Sequence, residues 1–168
     1  MSFEHSRSIK ARSLTEQRII YTIQDSSKKD AWETPSLENW MFGKTGTPTE
    51  NMLLVCAKHP YIRESDKMSF NIYQTQTGTL HRQVMFDFAS MDVLTLDKNH
   101  NFIIVWAGSS AEKKLRFIST LNFAVAKEVS CDELGLTRQN SIKLAAFNAR
   151  NDHMVVMSDK GLVSCLKL

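Results

Sequence analysis

Met154-Val155-Val156-Met157-Ser158, then Asp159-Lys160-Gly161, then Leu162-Val163-Ser164-Cys165-Leu166, is the stretch on which the fold turns. A short apolar run, a polar turn closed by glycine and a second β-rich run predict two strands joined by a hairpin. The same unit occurs twice upstream. Met52-Leu53-Leu54-Val55-Cys56-Ala57 is followed by Phe70-Asn71-Ile72-Tyr73, and Phe102-Ile103-Ile104-Val105-Trp106-Ala107 by Leu115-Arg116-Phe117-Ile118. Val55 and Val105 are 50 residues apart, Val105 and Val156 51. Phe70 and Leu115 are 45 apart, Leu115 and Leu162 47. A period of this length marks a repeat architecture, and such scaffolds bind more often than they catalyse.

Outward from these runs, residues 51–168 divide into three blade-like units, 51–90, 91–130 and 141–168. The first has a strand from Met52, a polar loop from Lys58 to Lys67 containing Pro60, a strand from Ser69 to Thr75, a Gln76-Thr77-Gly78-Thr79 turn and a strand from Leu80 to Val84. The second has strands at Val93 to Leu96, Phe102 to Ala107, Leu115 to Ser119 and Phe123 to Val129. The third has strands at Ile142 to Phe147, Met154 to Ser158 and Leu162 to Lys167. Residues 17–50 hold one β-branched strand, Arg18 to Ile23, and then an irregular segment. Pro35, Pro48, Gly43 and Gly46 break that segment too often for a helix, leaving one short strand around Asn39 to Phe42. Residues 1–16 read as a flexible basic arm.

The composition sets bounds. The chain has 168 residues, 42% hydrophobic and 23% charged, with a net charge of +3, which suits a globular core and demands no polyanionic partner. No apolar run reaches the roughly 18–20 residues of a membrane-spanning helix, so no membrane association is expected. The start lacks the apolar core of a secretory signal. Cys56, Cys131 and Cys165 are odd in number and far apart, as expected of reduced thiols in a cytoplasmic protein, with the nucleus as the alternative.

The last unit, Phe147 to Leu166, resembles a blade of a WD-repeat β-propeller: an inner-strand phenylalanine, a polar turn, an apolar second strand, an Asp-x-Gly hairpin and a third strand. Phe70 to Leu80 is similar to the family's third strand, Thr-Gly turn and outer strand. Kelch blades fit less well, since the chain has no Gly-Gly pair. No Trp-Asp dipeptide closes a third strand; Tyr73-Gln74, Ile118-Ser119 and Leu166-Lys167 stand there. No Gly-His precedes an inner strand, so the family's hydrogen-bond network is assigned to no residue here. The resemblance implies an all-β fold, an incomplete or fragmentary β-propeller of antiparallel blades with an irregular N-terminal segment. Propellers close with about 4–8 blades, so three leave open faces and strand edges. Arg18 to Ile23 supplying an outer strand is one resolution. Membership of a larger propeller is the other, and the one favoured.

No constellation points to chemistry. Gly43-Lys44-Thr45 lacks the glycine five positions earlier that a phosphate loop requires, and Pro48 interrupts any following helix. The histidines are scattered; Cys56 and His59 are close, but no second pair completes a metal site. Asp97-Lys98-Asn99-His100-Asn101 has Phe102 where a calcium loop needs glycine, and reads as a hairpin turn. Asp87 and Asp92 flank strands. Lys113, Lys114, Arg116 and Lys127 form a basic strand face without the interleaved aromatics of a base-stacking surface. No catalytic residue, cofactor or metal is expected. The candidate partner-binding residues are Trp32, Trp40 and Phe42, large aromatics on the irregular segment. The expected function is a non-catalytic protein-interaction scaffold of WD-repeat propeller type, part of a larger propeller, with another protein as partner and self-association through open blade edges. The alternatives are a small β domain with a ligand-binding or enzymatic role, and a nucleic-acid binder acting through the basic arm, the less expected partner.

Overall fold

The computed structural model describes residues 8–12, 19–24, 36–62, 65–109, 112–137 and 140–168. The fold is all-β, with thirteen strands and no helix among the described residues: β1 (Ser8–Arg12), β2 (Ile19–Gln24), β3 (Ser36–Phe42), β4 (Met52–Ile62), β5 (Ser65–Gln74), β6 (Leu80–Phe86), β7 (Ser90–Leu96), β8 (Phe102–Gly108), β9 (Lys113–Ser119), β10 (Val125–Val129), β11 (Ile142–Phe147), β12 (His153–Ser158) and β13 (Val163–Lys167). Accordingly no helix among these residues is long and apolar enough to cross a membrane. All pairings are antiparallel. β1 and β2 form a hairpin, β3-β4-β5-β6 and β7-β8-β9-β10 are four-stranded meanders, and β11-β12-β13 is a three-stranded one. The chain divides into two compact units, Met1–Gly43 with Asn51–Asp87, and Lys44–Glu50 with Phe88–Leu168.

The three meanders share one internal register. Val55 faces Asn71, Val105 faces Arg116 and Val156 faces Ser164 on the neighbouring strand. Met52, Phe102 and His153 likewise face Gln74, Ser119 and Lys167. Just past that pair, the amides of Thr75, Thr120 and Leu168 donate to the carbonyls of Asn51, Asn101 and Asp152, at 3.0, 2.8 and 2.9 Å. The turn entering each second strand holds one non-glycine residue at positive φ: Asn51 at 59°, His100 at 55° and Asn151 at 62°. Asn and His adopt this conformation more readily than other side chains.

Several expectations are corrected. Ser8–Arg12, expected within the flexible arm 1–16, is a strand whose Ile9 pairs with Ile23. The alternation of Ile9 and Ala11 with polar neighbours is a period-two signal that the basic composition obscured. The strand around Asn39 to Phe42 begins at Ser36 and pairs with β4, so the first meander starts in the segment read as irregular and runs 36–86 rather than 51–90. The Lys58 to Lys67 loop is mostly hairpin, because β4 continues to Ile62; the register breaks between His59 and Ile62, around Pro60, which has no N–H to offer the ladder. The run expected to supply an outer strand forms β2 (Ile19–Gln24) over its described residues, and β2 pairs with β1.

In the first unit Ile23 of β2 packs against Leu53, Val55 and Tyr73. In the second, one core joins two sheets. Ile104, Trp106, Leu115 and Phe117 of the β7–β10 sheet meet Ile142, Ala145, Met154 and Val156 of the β11–β13 sheet. Cys131, Leu134 and Leu136, from the β10–β11 connection, fill the space beside them. Gly108 ends β8 where no side chain fits: a Cβ there would lie 2.1 Å from the Glu112 carbonyl oxygen.

Candidate functional site

Polar clusters come first as candidates for chemistry. Asp97 is buried, and both its oxygens are occupied. Oδ1 accepts from the Phe102 amide at 2.7 Å; Oδ2 accepts from the Asn99 amide at 3.3 Å and from Asn151 Nδ2 at 3.1 Å. Asn151 Oδ1 in turn accepts from the Lys98 amide at 3.3 Å. The β7–β8 and β11–β12 turns are thus clasped together through side chains. His100, in the same turn, holds its Nδ1 2.9 Å from the hydroxyl of the fully buried Thr49. Burial, joined by the Lys44 ammonium, holds the His100 pKa below its usual value against the opposing pull of Asp97. The 97–101 segment is therefore a hairpin turn, closed by the His100 amide donating to the Asp97 carbonyl at 3.0 Å. Gly43-Lys44-Thr45 also leads into a turn, with the Thr47 amide on the Lys44 carbonyl.

The basic strand face is held by its own neighbours. Arg116, almost buried, donates through Nη1 to the Ala107 carbonyl and through Nε to Glu128 at 2.6 Å, and its guanidinium lies 4.5 Å from the centre of the Phe88 ring. The hydrogen bond from Arg116 is the main cause of a lowered Glu128 pKa. Lys114 reaches Glu112 and Glu128, and Lys113 reaches Asp92. No group of three or more His, Cys, Asp or Glu able to hold a metal occurs among the described residues. Cys56 lies in the core, and the side chain of His59 is outside the described set.

A cavity of about 290 Å³ lies in the second unit, lined by Phe102, Phe117, Phe147, Ala126 and Leu168 with Asp97, Asn151 and Lys127 at its polar positions. Asp97 and Asn151 are committed to the clasp, and Lys127 sits over the Phe117 ring at 5.8 Å. Such a cavity is at the lower end of ligand-pocket sizes, roughly 300–1,000 Å³.

The most distinctive surface is apolar. In the β11–β13 sheet, Leu144 faces Met157, which faces Val163; Ala146 faces Val155, which faces Cys165. Directly opposed residues share one face of a sheet, and all six of these side chains are exposed. The other face, with Ile142, Ala145, Met154 and Val156, is buried. The shared register identifies what covers the bare face elsewhere. Val155 and Met157 correspond to Ile104 and Trp106, and Val163 and Cys165 to Leu115 and Phe117. Those four are buried, and the β11–β13 sheet is what lies against them. One sheet thus covers the face that the next sheet leaves open.

Of the aromatics expected to bind a partner, Trp32 lies outside the described residues. Trp40 is in β3, its backbone paired with Val55. Phe42 ends the same strand, facing Leu53, with about half its surface exposed. The bare face escaped notice in the sequence because Met154-Val155-Val156-Met157 is as uniformly apolar as its two counterparts, which are buried on both faces. What separates them is that, among the described residues, the outer face of the third sheet has no neighbour. Comparison of the sequence with protein-family models and with curated proteins gave no match.

Proposed function

We propose that the protein is a non-catalytic protein-interaction scaffold of the WD-repeat propeller type, forming part of a larger propeller-like assembly. The observation that carries this is the outer face of the β11–β13 sheet. It has the strand sequence of a doubly buried sheet and the register of one, yet it is bare on the side where the preceding sheet of the same unit receives its neighbour. The occupant is a further antiparallel sheet from a partner polypeptide, presenting alternate apolar residues as Met154 and Val156 do. Patches of this kind on otherwise polar proteins mark interaction sites. Trp32, Trp40 and Phe42 are proposed as a second contact. Against a ligand-binding or enzymatic role stands the commitment of Asp97 and Asn151 to the turns they join.

A photo-reactive amino acid placed at Met157, with Lys98 in an exposed turn as control, tests this in cells. The expected product is a crosslink at 157, and not at 98, to a strand of alternating apolar residues in a different protein. Crosslinks confined to position 98 would contradict it, and so would crosslinks from 157 to a second copy of the chain.

A further inference from the structure

The free edge of β13 carries a second and more specific instruction. β5 and β9, its counterparts in the first two meanders, are each flanked by a fourth strand, β6 and β10. Among the described residues β13 is paired on one side only, with β12. The backbone bonds that flank the β12–β13 pairing, Ser158 N–H to Leu162 O and Leu168 N–H to Asp152 O, fix which amides turn towards β12. Alternation along an antiparallel ladder then directs the amides of Val163, Cys165 and Lys167 to the open edge. At the position of Lys167, the amides of Gln74 and Ser119 donate to Thr79 and Ala124, the residues that lead into the fourth strands.

The two existing fourth strands share a pattern. In β6, Arg82, Gln83 and Val84 face Ile72, Asn71 and Phe70. In β10, Lys127, Glu128 and Val129 face Phe117, Arg116 and Leu115. Both read basic, Gln or Glu, valine. The middle residue bonds its opposite number: Gln83 Nε2 donates to Asn71 Oδ1 at 2.9 Å, and Glu128 accepts from Arg116 at 2.6 Å. The valine is the apolar member, and Val129 belongs to the buried core. The residues of β13 corresponding to those three positions are Cys165, Ser164 and Val163. Val163 is 65% exposed, the largest exposure of any large apolar residue in this sheet. β13 also lacks the usual protections of an edge: it has no proline and no bulge, and one lysine at its end.

We infer that β13 accepts an extended segment of a partner polypeptide as an antiparallel fourth strand, and that this segment carries a basic residue, then Gln or Glu, then valine. The valine lies opposite Val163, the polar residue opposite Ser164 and the basic residue opposite Cys165. Main-chain bonds from the three outward amides supply affinity, and the valine and the basic residue set register, as in other strand-addition complexes; the Ser164 hydroxyl already donates to the Leu134 carbonyl. This rests on the proposed role of the third sheet as an interaction surface, but it uses the edge and not the face.

The probe is a fluorescent peptide of residues 123–130, Phe-Ala-Val-Ala-Lys-Glu-Val-Ser, titrated with the full chain and followed by anisotropy. Saturable binding is expected. By the register of β10, the amides of Lys127 and Val129 face the receiving strand and that of Glu128 faces away. Methylating the peptide nitrogens of lysine and valine is therefore expected to abolish binding, while methylating that of glutamate leaves it within about twofold. In the protein, Cys165→Pro removes one outward donor and no bond to β12, and is expected to weaken binding at least tenfold with an unchanged melting temperature. Absence of saturable binding, or equal loss with either methylation pattern, overturns the inference. If Cys165→Pro disturbs folding, the methylated peptides decide on the unaltered chain. A failed titration leaves the crosslink expected at Met157 untouched, so the edge and the face are judged separately.

Discussion

His100 shows how a single side chain couples local strain to a longer-range bond. It occupies the left-handed region at the tip of the β7–β8 turn, and that conformation brings its ring to the Thr49 hydroxyl. A neutral Nδ1 can accept the hydroxyl proton, whereas a protonated one cannot. Because the folded pKa is lowered, the unfolded chain binds the extra proton first as pH falls. The stabilisation is therefore complete above the unfolded value of 6.5 and is lost as pH drops through it towards the folded value. The lowered carboxylates of Glu128 and Asp152, hydrogen-bonded chiefly by Arg116 and His153, act in the same direction in a lower window, below their ordinary values of 4.5 and 3.8. Melting temperature measured from pH 7.5 to 5.5 should fall more steeply for the unaltered protein than for His100→Asn, since Asn accepts the same backbone conformation and does not titrate. Equal slopes would remove His100 as the source.

β12 is the strand on which the distinction between faces can be measured. Met154 is fully buried and Met157 is 37% exposed, three residues apart in one apolar run. Met154→Ala should cost about 2–5 kcal/mol, as for other buried large-to-small changes. Met157→Ala should stay within about 0.5 kcal/mol. Comparable losses in urea denaturation would mean that the outer face is covered in the isolated protein. The sequence made the strands themselves legible, because apolar runs bounded by Asn, Asp and Gly repeat at near-constant spacing. The third meander's strands lie close to where that pattern put them. It could not reveal burial, since Val155 and Val156 are the same residue type on opposite faces. Nor could it reveal β1 and most of β3, where Lys10 and Arg12 and the nearby Pro35 outweighed a weak alternation. The clasp of Asp97 with Asn151 spans 54 positions and joins two turns, so it has no local signature.

Across the molecule, three meanders of equal internal register are used unequally. Among the described residues, the β3–β6 and β7–β10 sheets have four strands and central strands buried on both faces, while the β11–β13 sheet has three strands, a bare face and a bare edge. The scaffold role proposed above draws on this open sheet. Residue-resolved amide hydrogen exchange on the free protein compares the equivalent positions directly. Phe70, Ile72 and Gln74 of β5 and Leu115, Phe117 and Ser119 of β9 should exchange slowly. Val163, Cys165 and Lys167 of β13 should exchange orders of magnitude faster, while Ser164 and Leu166, bonded to β12, stay protected. Uniform slow exchange along β13 would contradict the open third sheet and the binding role proposed for it.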